Sequence, residues 1–370
     1  MMKYKVISLF GIRSDIIKFS SLFPLLDKHF NHIMVHSNQH YDYEMDGIFF
    51  TELNLRAPDY NLKVGSGTQA AQTAKIMLGF EKILLKEKPD AVVLQGDTNT
   101  AIAGSLTASK MKIPLMHVEG GARGFAKNEP EEINRKVADY ASDLVFAPDM
   151  DSANNLKKEG FSKEKFFLSG NTSLDVCLRN VKLAKDNFLK KYNFKKNNFV
   201  VVTIHRSQNT NEKNRLQNII SALEEISSFC PVIFPVHPRT QKALEKFGIE
   251  IENSVNAIEP IGYLDFLGLM KSAKMIITDS AGIQEEAVFL NVPCLIAYNE
   301  TPWVPYVKSG KNKLVGYRKE RIVSAAKKLY FDGEYYKTIR KIPYDYYPNV
   351  SENIVKKMKS WLDNGDKRIM

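Results

Sequence analysis

Arg13 and Lys18 stand five residues apart, directly after an apolar run at 3–9 and at the start of a helical pattern entered through Gly11. Two cations beside a helix N-terminus, whose backbone N–H groups point outward, make an anion site. The plainer alternative is a strand-to-helix turn carrying solvated basic side chains. Asp97 and Glu119 each follow an apolar run, at 91–94 and 114–118. Two carboxylates at the ends of buried strands can share one crevice, where desolvation and mutual repulsion raise a pKa and fit the pair for proton transfer. Asp97 also reads as a helix N-cap before Thr98. Glu131 and Glu132 follow Pro130 and open a helix, where acidic side chains suit the dipole regardless of any chemistry. His205-Arg206 and His237-Pro238-Arg239 offer phosphate or acid/base service at two further strand ends, against the common fate of a satisfied core histidine. Asp279-Ser280-Ala281-Gly282 is a small-residue turn leading into Ile283–Glu286. Such a turn admits a diphosphate onto backbone N–H groups, with Glu286 one turn in to accept from sugar hydroxyls.

Residues of this kind need strands to hold them. Short β-branched runs alternate with longer helical patterns, at 3–9, 32–36, 91–94, 114–118 and 144–147, then again at 199–204, 232–236, 257–258, 275–278 and 293–296. Helical patterns at 14–29, 68–87, 99–111, 131–141 and 152–159 separate the first set. Near-continuous apolar strands between helices are buried on both faces, which implies parallel sheets with right-handed crossovers. Two such sets predict an α/β fold of two doubly wound domains, joined near 170–190. In open parallel sheets ligands bind beyond the strands' carboxyl ends. That is where the polar segments carrying His36, His40, His117, His205 and His237 fall.

With 370 residues, 44% apolar and 25% charged, the chain has the composition of an ordinary globular protein. Collagen-like and disordered classes fall away. Its three cysteines, Cys177, Cys230 and Cys294, are far apart in apolar stretches and read as buried thiols in a reducing compartment. No stretch has the roughly 18 apolar residues of a membrane span, and the N-terminal apolar run lacks a cleavage site, so a cytoplasmic location is expected. Lys+Arg exceed Asp+Glu by 10, mostly as dispersed lysines. These read as solvated helix faces, or else as an attraction to polyanions. No stacking-aromatic motif or zinc finger accompanies them, so nucleic acid is not expected as a partner. There is no GxGxxG, no GxxxxGK[ST] and no metal-ligand spacing, so neither a dinucleotide cofactor nor a metal is expected.

Together these residues resemble the UDP-N-acetylglucosamine 2-epimerase family, in its non-hydrolysing branch. The resemblance runs through Gln39-His40, PDY-L at 58–62, GDTNT at 96–100, HVE-G-R at 117–123, PEEINR at 130–135, GNT at 170–172, IHR at 204–206, PVHPRT at 235–240 and TDS-GIQEEA at 278–287. It implies two Rossmann-like domains of the GT-B type facing a central cleft that closes on substrate, with boundaries expected at 1–172 plus a returning C-terminal helix in 351–370, and at 173–350. It implies no cofactor, a UDP-sugar substrate, a homodimer and service to surface polysaccharide precursors. The chemistry it implies is inversion at C2 of a UDP-N-acetylhexosamine, by anti elimination of UDP to a 2-acetamidoglycal and re-addition. Asp97, Glu119, Glu131 and His205 inherit the catalytic roles. Arg13, Lys18, Gln39, His40, Arg123, Arg135, Arg206, His237, Phe266, Ser280, Ala281, Gly282, Glu286 and Trp303 form the expected substrate-binding set, Phe266 near the uracil. Elimination needs a base near C2 and cations at the departing diphosphate, which this set supplies.

The chain departs from the family pattern at identifiable points. The motif GTRPE is here GIRSD, HVEAGLR is HVEGGAR, and Trp303 occupies the position of an arginine in TERPE. An indole cannot replace a bidentate cation at a diphosphate. A hydrolysing epimerase releasing ManNAc and UDP, an epimerase of a modified UDP-HexNAc, and a GT-B glycosyltransferase remain the alternatives.

Overall fold

The structure, a computed structural model, describes residues 3–39, 50–125, 129–184, 187–343 and 347–365. The chain divides into two compact units, Met1–Val176 with Asp345–Met370, and Cys177–Tyr344. Each is built on its own all-parallel sheet with helical crossovers, so the α/β, two-domain Rossmann-like class holds.

Among the described residues the first unit contains a seven-stranded sheet. Its strands are β1 (Lys5–Phe10), β2 (Asn31–His36), β3 (Tyr60–Asn61), β4 (Ala91–Gln95), β5 (Leu115–Val118), β6 (Leu144–Ala147) and β7 (Phe166–Leu168), in the order β3-β2-β1-β4-β5-β6-β7. The central strands are apolar because helices cover both faces: all of β4, β5 and β6 is buried. Ile7, Leu9, Val92, Leu94 and Leu115 meet Ile76, Phe80 and Leu84 of the helix Gln69–Glu87 on one face. The small-residue helix Asn99–Lys110 also packs close to the sheet, with Ala101, Ala103, Gly104 and Ala108 buried, and Thr98 caps its first turn by accepting from the Ala101 N–H.

The sequence pattern at 14–29 is a single expected helix. The structure has two, Arg13–Phe19 and Phe23–His29, broken at Ser20–Leu22. Pro24, at the second position of the later helix, cannot supply the N–H that a continuous helix would need. Nearby, Ser8 Oγ lies 2.8 Å from His32 Nε2, and His32 Nδ1 2.7 Å from Asp27 Oδ1. That line has the form of an acyl-transfer nucleophile. Ser8 has no exposed surface, so the triad can only staple β1, β2 and the helix Phe23–His29 together. The helix Val350–Asp363 also belongs to this unit: Ser351 N–H donates to Asp175 at 2.7 Å, and Val350, Ile354 and Met358 are fully buried.

The second unit contains a six-stranded sheet among its described residues, in the order β10-β9-β8-β11-β12-β13. These are β8 (Val200–Thr203), β9 (Val232–Pro235), β10 (Val255–Ile258), β11 (Met275–Thr278), β12 (Cys294–Ile296) and β13 (Asn312–Leu314). Its core joins Val200, Val202, Phe234, Ile277 and Leu295 to Leu216, Ile220 and Leu223 of the helix Lys213–Ser227 and Ile322 and Ala326 of the helix Lys319–Phe331. Among the described residues no helix is long and apolar enough to cross a membrane.

Candidate active site

In the first unit the order β2-β1-β4-β5 sets four strand ends side by side, in the register Phe10↔His36 and Gln95↔Val118. Residues 11–18, 96–100 and 119–123 therefore converge at one edge. Gly11 is required there, since a Cβ would lie 2.0 Å from Thr100 Oγ1 and 2.7 Å from Ser37 Oγ. The first turn of the helix Arg13–Phe19 already holds an internal acceptor: the buried Asp15 carboxyl accepts from the N–H groups of Gly11 (2.9 Å) and Ile12 (3.2 Å). Burial pushes the Asp15 carboxyl up from its ordinary 3.8 to about 7, against the Gly11 and Ile12 N–H groups and Lys18, with the Asp97 charge adding to the rise. Those two backbone donors are therefore taken, and Arg13 and Lys18 are the cations of this turn. Lys18 donates to Glu119 Oε2 at 2.5 Å.

Glu119 is buried, and its φ is +65°. A left-handed non-glycine residue costs on the order of 1 kcal/mol and persists where its surroundings over-determine it. They do so here: besides Lys18, Gln95 Nε2 (2.9 Å) and Thr172 Oγ1 (3.0 Å) both donate to Glu119 Oε1. On the neighbouring strand end Asp97 receives Arg135 at 2.5 Å, and the Asn134 amide holds its backbone carbonyl at 2.8 Å. Arg135 is buried and also donates to Glu132 at 2.8 Å. Of the adjacent acidic pair, Glu132 is the buried one and Glu131 faces solvent. Gln39 is buried, accepts from Thr100 Oγ1 and has its carbonyl held by Gln72. His40 lies outside the described residues. Arg123 is buried and spends its guanidinium on Asp139 (2.7 Å), Glu159 (2.7 and 2.9 Å) and the Ala122 carbonyl.

In the second unit a buried carboxylate shapes the loop after β8. Asp279 accepts from the backbone N–H groups of His205 and Arg206, at 2.9–3.1 Å, and from Asn209, which also reaches the Ala297 carbonyl. The His205 and His237 rings stack at 5.1 Å, and the Arg206 guanidinium lies 4.6 Å from the Tyr298 ring centre. His237 Nδ1 accepts from the Arg239 N–H at 3.1 Å, which fixes the tautomer of a neutral ring with the hydrogen on Nε2. Ser280, Ala281 and Gly282 are half-buried at the start of the helix Ala281–Phe289, with open space above Gly282. Glu286 is buried and accepts from the Tyr263 hydroxyl at 2.8 Å. Phe266 is half-buried on the helix Tyr263–Ser272. Trp303 is buried, and its indole N–H donates to the Ala281 carbonyl at 3.1 Å, closing over the first turn of the helix that Ser280 opens.

Gln95, Thr172, Asp139 and Asp279 carry the bonds that hold this apparatus, and residue types alone do not single them out as a set. Gln95 and Thr172 are uncharged. Asp139 sits four residues after Arg135, a spacing that reads as an ordinary surface helix pair. Asp279 is visible as the first residue of a turn, but its grip on the loop after β8 is long-range. Among the described residues, no group of three or more His, Cys, Asp or Glu side chains is placed to hold a metal ion.

A family model for UDP-N-acetylglucosamine 2-epimerase matches residues 26–359. The chain is similar to the UDP-N-acetylglucosamine 2-epimerase of Methanocaldococcus jannaschii, 45% identical over 332 residues that span 87% of this chain and 91% of that one. It is also similar to the UDP-2,3-diacetamido-2,3-dideoxy-D-glucuronate 2-epimerase of Pseudomonas aeruginosa, 36% identical over 90% of this chain and 95% of that one. The crystal structure of the M. jannaschii UDP-GlcNAc 2-epimerase in complex with UDP-GlcNAc and UDP superposes with a TM-score of 0.88 at 42% identity, covering 96% of this chain and 99% of that one.

Proposed function

The chain belongs to the UDP-N-acetylglucosamine 2-epimerase family, and from that premise we propose that it inverts C2 of a UDP-N-acetylhexosamine and releases the product still joined to UDP. The observation that carries this reading is the pair of carboxylates at the ends of β4 and β5, Asp97 against Arg135 and Glu119 against Lys18. Paired with cations, such groups can take a C2 proton and return one to the opposite face. In the forward step the C2–H bond breaks, its electron pair forms C1=C2, and the C1–O bond to UDP breaks on the opposite side. Re-addition of UDP, with a proton delivered to the other face of C2, completes the inversion. Arg206 and the helix start at Ser280, in the second unit, answer the charge of the diphosphate. Glu131 and His205 complete the acid/base and leaving-group set. Asp279 holds the His205–Arg206 backbone, which keeps those side chains in place.

The test is purified protein with UDP-GlcNAc in deuterated water, followed by proton NMR. The expected result is an equilibrium of UDP-GlcNAc and UDP-ManNAc with deuterium at C2. Irreversible appearance of free UDP and ManNAc would replace this reading with the hydrolysing one, and full retention of the C2 proton would end the elimination mechanism. A second reading, an epimerase of a modified UDP-HexNAc, is favoured by the similarity to the Pseudomonas enzyme; the same assay with 2,3-diacetamido sugars separates the two. We place the enzyme in the cytoplasm, in the supply of surface polysaccharide precursors, as a homodimer. The helices Gln69–Glu87 and Pro130–Ala141 support the dimer: they line a groove of about 420 Å³ and expose Leu78, Ile133 and Tyr140.

A further inference from the structure

His117, on β5, and Asp139, in the helix Pro130–Ala141, are fully buried and take no part in the chemical steps proposed above. His117 Nδ1 lies 2.7 Å from Asp139 Oδ1, and His117 Nε2 lies 2.8 Å from the Gly96 carbonyl. A carbonyl oxygen only accepts, so Nε2 carries a hydrogen and donates it; the carboxylate takes the hydrogen on Nδ1. The ring is therefore an imidazolium. Burial alone would depress the pKa of His117, but the bond to Asp139 and its charge outweigh burial and hold it above its ordinary value. The other carboxylate oxygen, Asp139 Oδ2, receives the Gly121 N–H at 2.9 Å and Arg123 at 2.7 Å, and Arg123 continues to Glu159. Two cations and two anions form a neutral set, the condition under which charges tolerate a dry interior.

Where these bonds end is informative. Gly96 directly precedes Asp97, at a φ of +75°, and Gly121 lies two residues beyond Glu119. One carboxylate thus grips both turns, that of Glu119 directly and that of Asp97 through the imidazolium. Building on the epimerase reading, we propose that Asp139, acting through His117, is a positioning residue that fixes the Asp97 turn relative to the Glu119 turn. The chain makes room for it at Gly120, which stands where the family motif has alanine. A Cβ there would lie 2.4 Å from Asp139 Oδ1 and 2.2 Å from Val145 Cγ1. A displacement on the order of 1 Å in a reacting group costs about 10²-fold in rate, while nucleotide contacts made elsewhere are unchanged.

The experiment compares His117→Ala, which loses both bonds, with His117→Gln, whose amide can still donate to the Gly96 carbonyl but loses Asp139. Asp139→Asn is the third variant; it keeps an acceptor for His117 and loses the charge facing Gly121 and Arg123. For each, kcat and KM with UDP-GlcNAc, UDP affinity by calorimetry and melting temperature are measured. His117→Ala should lower kcat about 30-fold or more, with UDP affinity within about twofold of the unaltered chain. His117→Gln should recover about tenfold of that loss despite a melting temperature as low as that of the alanine variant, and Asp139→Asn should fall between them. Equal kcat in His117→Ala and His117→Gln, or losses of kcat and UDP affinity that follow the melting temperature together, would overturn the proposal. Should His117→Ala not fold, Gly120→Ala stands in, with the same expectation of a kcat loss at unchanged UDP affinity and with full kcat as the overturning result. An unaltered chain that turns over beside variants at full kcat removes this proposal alone. An unaltered chain without turnover removes the epimerase reading and the proposal with it.

Discussion

Asp15 occupies the place of the glutamate in the family motif, buried beneath the turn at 11–13 with its carboxyl pushed up to about 7. The folded state therefore holds a proton that the unfolded state releases near pH 3.8. Between those two values the folded chain binds more protons than the unfolded one, so this group lowers stability progressively as pH rises from about 4 to 7. The displacement is worth about 4 kcal/mol at most. Asp15→Asn removes the ionisation and keeps an oxygen for the Gly11 and Ile12 N–H groups. Relative to the unaltered chain it should gain stability between pH 4 and pH 8, by about 2–4 kcal/mol in denaturant titrations at the two pH values. An unchanged difference would mean that Asp15 is ionised in the folded state at pH 4 already. The neighbouring acidic residues show what residue types alone can settle. Glu131 and Glu132 are adjacent in sequence, and about 100° of helix rotation sends one to Arg135 and Gly124 and the other to solvent. That a pair of glutamates opens this helix is plain from the sequence; which of the two turns inward depends on the helix docking.

Elements were legible in proportion to their burial. The central strands read directly, because a strand covered on both faces must be apolar throughout. The edge strands β3, β7 and β13 escaped, since two or three half-covered residues such as Tyr60–Asn61 leave no apolar run. The expected single helix at 14–29 reflects apolar residues continuing through Phe19, Leu22, Phe23 and Leu26, a period that survives the break at Ser20–Leu22. Trp303 belongs to this scale, because its indole joins the loop after β12 to the first turn of the helix Ala281–Phe289. The bond from its N–H to the Ala281 carbonyl, with the Thr301 hydroxyl accepting from its backbone N–H at 3.0 Å, describes a residue that packs this junction. Trp303→Phe should lower stability by about 1–3 kcal/mol, the cost of one lost hydrogen bond and some lost packing. UDP affinity, measured by calorimetry, should stay within about threefold. A loss of UDP affinity at unchanged stability would instead make Trp303 a ligand contact.

At the scale of the molecule, the first unit is discontinuous: the chain leaves it after Val176 and re-enters it from Asp345. The returning helix Val350–Asp363 is anchored by Ser351 on Asp175 and Ser21 and buries Met358 completely. Met358→Ala should cost about 2–4 kcal/mol. Hydrogen exchange should register the lost protection in the first unit, in the helix Phe23–His29 and its neighbours. Equal loss throughout Cys177–Tyr344 would contradict this assignment. The same return imposes an order on biosynthesis. A ribosome delivers residues 5–176 first, yet the surface that Val350, Ile354 and Met358 cover stays open until residues 177–344 have been translated, because contacts between distant segments cannot form before both exist. During that interval the nascent chain presents an uncovered apolar seam to chaperones and proteases. A stop codon just before Val350 would leave every proposed catalytic residue encoded and still yield a chain that cannot close its first unit.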